Sequence, residues 1–329
     1  MNRNQQSFIS VLLVMLIIAL LIFFWIASNG SDMESNLIST NSVENEFSLS
    51  VLATNSPLTT TPPTVTPYPT ETPTPTPTTT PTITPTATAT LTFSGYEVIG
   101  TSVLELPLEV YRFGTGEHAY LVVAGIHGGY EWNTVSLALE LIDMLKQEPE
   151  RIPADKTLYI LPNLNPDGYA KDKGPDGRAN ANNVDINRNW DSNWATDWDG
   201  EHCWSYRVIT AGEEPESEPE TRALKNFLLD RNVKAVISYH SQGAVIFSGG
   251  YPYDLTSVDL ANNIWAVSPY YYPPDYSGCQ YTGQFIDWAS DQGIAALDIE
   301  LRNHADTAYL INVNILDAFL KWEYPRPVD

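Results

Sequence analysis

The chain has little cysteine, few basic residues and, across its first quarter, little from which to build a folded core. Its only cysteines are Cys203 and Cys279. Two cysteines exclude a fold stapled by several disulfides. In a reducing compartment they are two free thiols, whereas outside the cell membrane a single bridge stays open. Lysine and arginine total 17 against 40 aspartates and glutamates, for a net charge of −23. Residues 1–92 hold one basic residue, Arg3, and five acidic ones, so −19 of that charge falls on the remainder. A domain this acidic repels phosphate backbones, which excludes nucleic acid as a partner.

What is present is unevenly distributed. Residues 8–26 read FISVLLVMLIIALLIFFWI, an uncharged apolar run of the length that crosses a bilayer. Arg3 precedes it and Asp32 and Glu34 follow, so residues 1–7 are expected in the cytoplasm and everything after the run outside. A cleaved signal peptide is the competing reading, but WIASNGS is a weak cleavage site, and an uncleaved membrane anchor is favoured. The chain is exported in both readings. Residues 27–92 become a Thr/Pro tract, TPTPTPTTTPTITPTATAT at its densest. Proline removes backbone donors and favours extended neighbours, so this segment is expected to be a disordered, semi-rigid stalk.

Residues 93–329 alternate strand and helix signals. LPLEVYRF (106–113), AYLVVAGI (119–126), TLYILPN (157–163), KAVISYH (234–240), AVIFSG (244–249) and AALDIEL (295–301) read as strands. Helices are expected at about 131–146, 217–230, 281–292 and from 307, the second opened by the capping-box pattern Ser217-Glu218-Pro219-Glu220. Such alternation predicts a single α/β domain whose mixed, mostly parallel sheet is covered by helices on both faces.

Candidate chemistry lies at the strand ends. In GIHGGYE, His127 ends an apolar strand and Glu131 opens a helix, with Gly128 and Gly129 permitting the turn between them. Zinc accepts such imidazole and carboxylate ligands, although a strand-end histidine beside an ordinary helix-start glutamate gives the same pattern. His240 and Glu300 close two further apolar strands, and functional groups gather outside the carboxyl ends of strands in open α/β sheets. A glutamate in an apolar strand is costly unless a cation or polar partner offsets its burial. Of the other histidines, His118 lies at the far end of its strand, His202 in a polar loop, and His304 close enough to Glu300 to support it. Arg178, Asn187 and Arg188 lie in polar loops, where a guanidinium and an amide suit a substrate carboxylate or simply pair with the domain's many acids.

GIHGGYE, NPDGY, Arg178, VDINRNW, SEPET, SYHSQ, GQFIDW and IELRN together resemble the zinc carboxypeptidase family in order and rough spacing, over residues 94–325. The compact length and the HGGYEWN form are most similar to the bacterial branch that includes murein peptide amidases. The resemblance implies one zinc ion held by His127, Glu131 and His240, with Glu300 as general base and acid. It further implies Arg178 as oxyanion stabiliser, Asn187 and Arg188 as the grip on a terminal carboxylate, and Asp185 as the residue that orients His127. The chain departs from the family in three places. Three residues instead of two separate His127 from Glu131. Cys279, flanked by Tyr276 and Tyr281, stands where a substrate-capping tyrosine is common. Ile286 falls at the specificity position, which points to an apolar or small terminal residue.

The resemblance thus implies a metallocarboxypeptidase acting on peptides. The same machinery also serves an amidase cutting a γ-D-glutamyl–diaminopimelate bond of wall peptides, or an N-acyl amino acid deacylase. A catalytically dead binding module would be expected to lose a ligand or the base, and this chain retains all of them.

Overall fold

A computed structural model describes residues 93–196, 208–273 and 281–325. The apolar run at 8–26, the Thr/Pro tract, His202, both cysteines and Tyr276 lie outside the described residues. Among the described residues no helix is long and apolar enough to cross a membrane.

Seven strands form one sheet: β1 (Phe93–Thr101), β2 (Pro107–Gly114), β3 (His118–Val123), β4 (Lys156–Leu161), β5 (Ala235–Ser241), β6 (Val245–Ser248) and β7 (Ala295–Leu301). Their spatial order is β1-β2-β4-β3-β5-β7-β6. The central strands β4, β3, β5 and β7 run parallel, whereas β1–β2, β2–β4 and β6–β7 pair antiparallel. The sheet is therefore mixed, but evenly divided and not mostly parallel as the alternation suggests. Parallel pairing needs a crossover, which residues 124–155 supply between β3 and β4. The five residues from Ser102 to Leu106 turn β1 straight back into β2.

Helices cover both faces. α1 (Trp132–Gln147), α4 (Leu255–Trp265) and α6 (Tyr309–Lys321) pack on one face, and α3 (Pro219–Asp230) and α5 (Phe285–Asp291) on the other; α2 (Pro166–Lys171) lies in the loop after β4. Alternate residues of β3 enter the two cores, Tyr120 and Val122 on the first and Leu121 and Val123 on the second. Burial on both sides is why its sequence reads as an unbroken apolar run.

Three local expectations change. β1, α2 and α4 carry no periodic signal strong enough to be read from sequence. The capping box at Ser217 does not form: Glu218 is the N-cap residue and makes no side-chain cap. Its carboxylate instead accepts from Asn180 Nδ2 at 2.7 Å and Asn182 Nδ2 at 2.8 Å, because a tertiary loop competes for it. α5 starts at Phe285 and not near 281, since Asn187 Oδ1 takes the Phe285 N–H at 2.9 Å.

The turn after β3 depends on two glycines. Gly128 has φ +46°, a left-handed conformation that side chains disfavour, and a Cβ on Gly129 would stand 1.9 Å from the Asp172 carbonyl oxygen. The pair lets the loop carrying Arg178 lie directly against the His127–Glu131 turn. Gly129→Ala should lower unfolding free energy by about 1–3 kcal/mol. Urea denaturation measures this, and an unchanged midpoint would show that the loop yields at no cost.

Candidate metal centre and active site

β3, β5 and β7 are neighbours and parallel, so their carboxyl ends share one edge of the sheet. His127 follows β3 by four residues. Glu131 is the N-cap residue of α1 but makes no side-chain cap, which frees its carboxylate to turn back to the imidazoles. His240 lies within β5, one residue before its end, and pairs in register with Glu300 on β7.

These side chains converge. Glu131 Oε1 lies 2.7 Å from His127 Nδ1, and Oε2 lies 3.1 Å from His240 Nδ1. The two Nδ1 atoms are 3.2 Å apart, and all three residues are at least 97% buried. Ligands of a tetrahedral zinc at 2.0–2.1 Å stand roughly 3.3 Å from one another, so the spacing fits that ion. The remote ring nitrogens are already engaged: His127 Nε2 bonds Asp185 Oδ1 at 3.1 Å, and His240 Nε2 bonds Ser238 Oγ at 2.9 Å. With protons on Nε2, the Nδ1 lone pairs face the common centre. Donor chemistry, spacing and tautomers all suit a metal ion, and these three form the cluster of ligand atoms within 4.8 Å of one another.

Asp185 is wholly buried and joins three segments. Its Oδ1 also accepts from the Asn187 backbone N–H at 2.9 Å, and its Oδ2 takes Arg178 Nε and Nη2, each at 2.9 Å. Arg178 Nη1 stands 3.6 Å from Glu131 Oε1, which brings Arg178 to the rim of the metal cluster. Asn187 and Arg188 sit on the short turn Ile186–Arg188; Arg188 Nη1 donates to the Asn187 carbonyl at 2.5 Å and its guanidinium lies 5.0 Å from the Tyr281 ring centre. Glu300 Oε2 is buried without a hydrogen-bond partner among the described residues.

The electrostatics split the carboxylates. Burial alone would raise the Glu131 pKa, but His127 and His240 outweigh it and hold the group well below the carboxylate range. Burial likewise opposes ionisation of Asp185, and Arg178 and His127 outweigh it. For Glu300 the balance goes the other way: burial, then the charge of Glu131, outweigh His240 and Arg178 and push it up to about 8. Burial also lowers the Arg188 pKa.

The structure thus brings together His127, Glu131, His240, Arg178, Asp185 and Glu300 and places Asn187 and Arg188 on the adjoining turn. His304 joins the periphery, with Nδ1 2.8 Å from Ser241 Oγ and its ring 4.4 Å from that of Tyr130. Ile286 is 2% exposed and packs in the apolar core. Sequence reasoning missed Ser238 and Asp298, which precede His240 and Glu300 by two residues. The period-2 alternation of a strand was the signal that would have found them.

Residues 86–280 match the zinc carboxypeptidase family profile. Carboxypeptidase A2 of Rattus norvegicus is 30% identical over 247 residues, 65% of this chain and 58% of that protein. Murein peptide amidase A of Escherichia coli (strain K12) is 28% identical over 217 residues, 63% of this chain and 81% of that protein. Bovine thrombin-activatable fibrinolysis inhibitor, solved in complex with tick carboxypeptidase inhibitor, superposes with a TM-score of 0.54 at 25% identity, covering 69% of this chain and 87% of the other. The chain spans less than two thirds of the length of carboxypeptidase A2.

The metal-free centre makes a pH prediction. Burial disfavours the His240 cation, but Asp298 and Glu131 outweigh it and raise its pKa well above the usual histidine value. A metal must displace that proton from Nδ1. Below the raised pKa, zinc affinity should therefore climb with pH, by up to about tenfold per unit, and level off above it. Chelator-competition titrations test this, and a flat profile contradicts it.

Proposed function

The chain belongs to the zinc carboxypeptidase family, and we propose that it hydrolyses the C-terminal amide bond of peptides with one zinc ion held by His127, Glu131 and His240. The observation that carries this reading is the buried convergence of two Nδ1 atoms on one carboxylate, beside a glutamate whose Oε2 has no partner among the described residues. When bound, zinc supplies Lewis-acid polarisation of a carbonyl and lowers the pKa of water.

The residues of the chain do the rest. Glu300 takes a proton from the attacking water and passes it to the leaving amine. Its carboxyl, pushed up to about 8 in the metal-free protein, holds a proton readily, as the donor half of that cycle requires. Positive charge beside Glu131 would offset the repulsion that adds to burial in raising it, and so favour the accepting form. Arg178, fixed by its bonds to Asp185, stabilises the oxyanion, a role in which one lost donor costs on the order of 3 kcal/mol. Arg188 and Asn187 hold the substrate's free carboxylate. Asn187 commits its Oδ1 to the Phe285 N–H, leaving its Nδ2 hydrogens for that grip.

A second reading, an amidase of wall peptides, draws support from the compact length of the domain. The match spans 81% of murein peptide amidase A but 58% of carboxypeptidase A2. In both readings the catalytic domain is displayed outside the membrane on the Thr/Pro stalk, anchored by residues 8–26. Turnover of ordinary acyl dipeptides against purified wall tripeptide distinguishes them.

Glu300→Gln should retain zinc and lose about 10²–10⁴ of kcat; full turnover in that variant would remove Glu300 from the mechanism. Arg188→Ala should raise KM for substrates with a free terminal carboxylate much more than for C-terminally amidated analogues. Equal effects on both would refute the exopeptidase reading.

A further inference from the structure

Two residues before Glu300, β7 carries a second buried carboxylate, Asp298, which the mechanism does not use. Leu297 and Ile299 enter the core beneath α1, α4 and α6, and Ala296 enters the opposite one, so Asp298 and Glu300 share the face on which Ala296 lies. The register pairs His240 with Glu300 and Ser238 with Asp298. β5 and β7 thus present two polar rungs to that face, the second roughly 7 Å further from the sheet edge.

Asp298 is 5% exposed, the same as Arg188. Its Oδ1 is buried without a hydrogen-bond partner among the described residues. Among the described residues its one ion-pair contact is His240 Nε2 at 3.4 Å, a separation outside good N–H···O geometry. That nitrogen already bonds Ser238 Oγ at 2.9 Å. The neighbouring carboxylate, Asp287, differs: it takes the Gly250 N–H at 2.9 Å and Gln284 Nε2 at 3.0 Å. A buried carboxylate calls for a donor or a cation, and among the described residues Asp298 Oδ1 has only the His240 ring, at 3.4 Å.

The geometry points to Asp298 as the residue that selects a C-terminal residue with a cationic side chain, such as lysine or another ω-amino acid. This rests on the exopeptidase reading, in which Arg188 holds the terminal carboxylate and the scissile carbonyl lies at the metal triad. The terminal side chain then meets the remaining charged group on the same face. A lysine's four-carbon stem spans about the distance between the two rungs. An apolar side chain would leave the carboxylate buried and unpaired. Ile286, whose position suggests an apolar terminal residue, faces the core instead.

The test compares matched N-acyl dipeptides ending in lysine and in norleucine, which share a stem and differ in charge. It uses the zinc-loaded full chain, Asp298→Asn and, should that variant fold poorly, Asp298→Ser. Calorimetry with free lysine and free norleucine supplies a readout besides turnover. The wild type should prefer lysine by at least about tenfold in kcat/KM and in binding, as expected for a buried charge pair. That ratio should collapse in the variants, with the loss carried by KM of the lysine substrate. The proposal is overturned by a wild-type preference for norleucine. It is equally overturned if the variants lose both substrates alike together with zinc, which would make Asp298 only a support for His240. If neither dipeptide is cleaved but lysine still binds more tightly in an Asp298-dependent way, the selectivity stands and the peptidase reading fails.

Discussion

The site is assembled around Asp185. One fully buried carboxylate accepts from the His127 ring, from both Nε and Nη2 of Arg178, and from the backbone N–H of Asn187. Those donors come from two connections, His127 from the one after β3 and Arg178 and Asn187 from the one after β4. Because every lone pair has a donor, the group stays ionised despite its burial, and its charge in turn fixes the His127 tautomer. Removing it would leave Arg178 buried without its counter-ion and His127 free to turn.

The sheet contributes the other half of the geometry. β3, β5 and β7 are adjacent and parallel, so three carboxyl ends open on one edge, and the register sets Glu300 beside His240. The strands at both margins, β1 and β2 on one side and β6 on the other, pair antiparallel. Gly128 and Gly129 then let the Arg178 loop approach a turn that any side chain would hold away.

Within this cage the acids are driven apart. Glu131 is held ionised between two imidazoles, while Glu300, a short distance away, is pushed up to about 8. Environments that separate the pKa values of neighbouring carboxyls divide them into ligand and proton carrier. Asp298 adds a third kind, a buried carboxylate whose Oδ1 has no hydrogen-bond donor in good geometry among the described residues.

The sequence made legible the class of fold and the strands buried on both faces, and its family resemblance implied His127, Glu131 and His240 as a ligand set. Those features are local: AALDIEL is apolar and β-prone throughout, and His127, Glu131 and His240 each stand at the end of such a segment or just past it. It did not yield the capping of α3, because Glu218 is claimed by Asn180 and Asn182 from a distant loop. Nor did it yield the division of the sheet into parallel centre and antiparallel margins, since pairing is a contact between segments and leaves no mark in either alone. Asp298 belongs to both categories. Its place on the face of Glu300 follows from the period of a strand, but only the packed structure leaves its Oδ1 without a hydrogen-bond partner among the described residues, because hydrogen bonding in a core is decided by which neighbours arrive there.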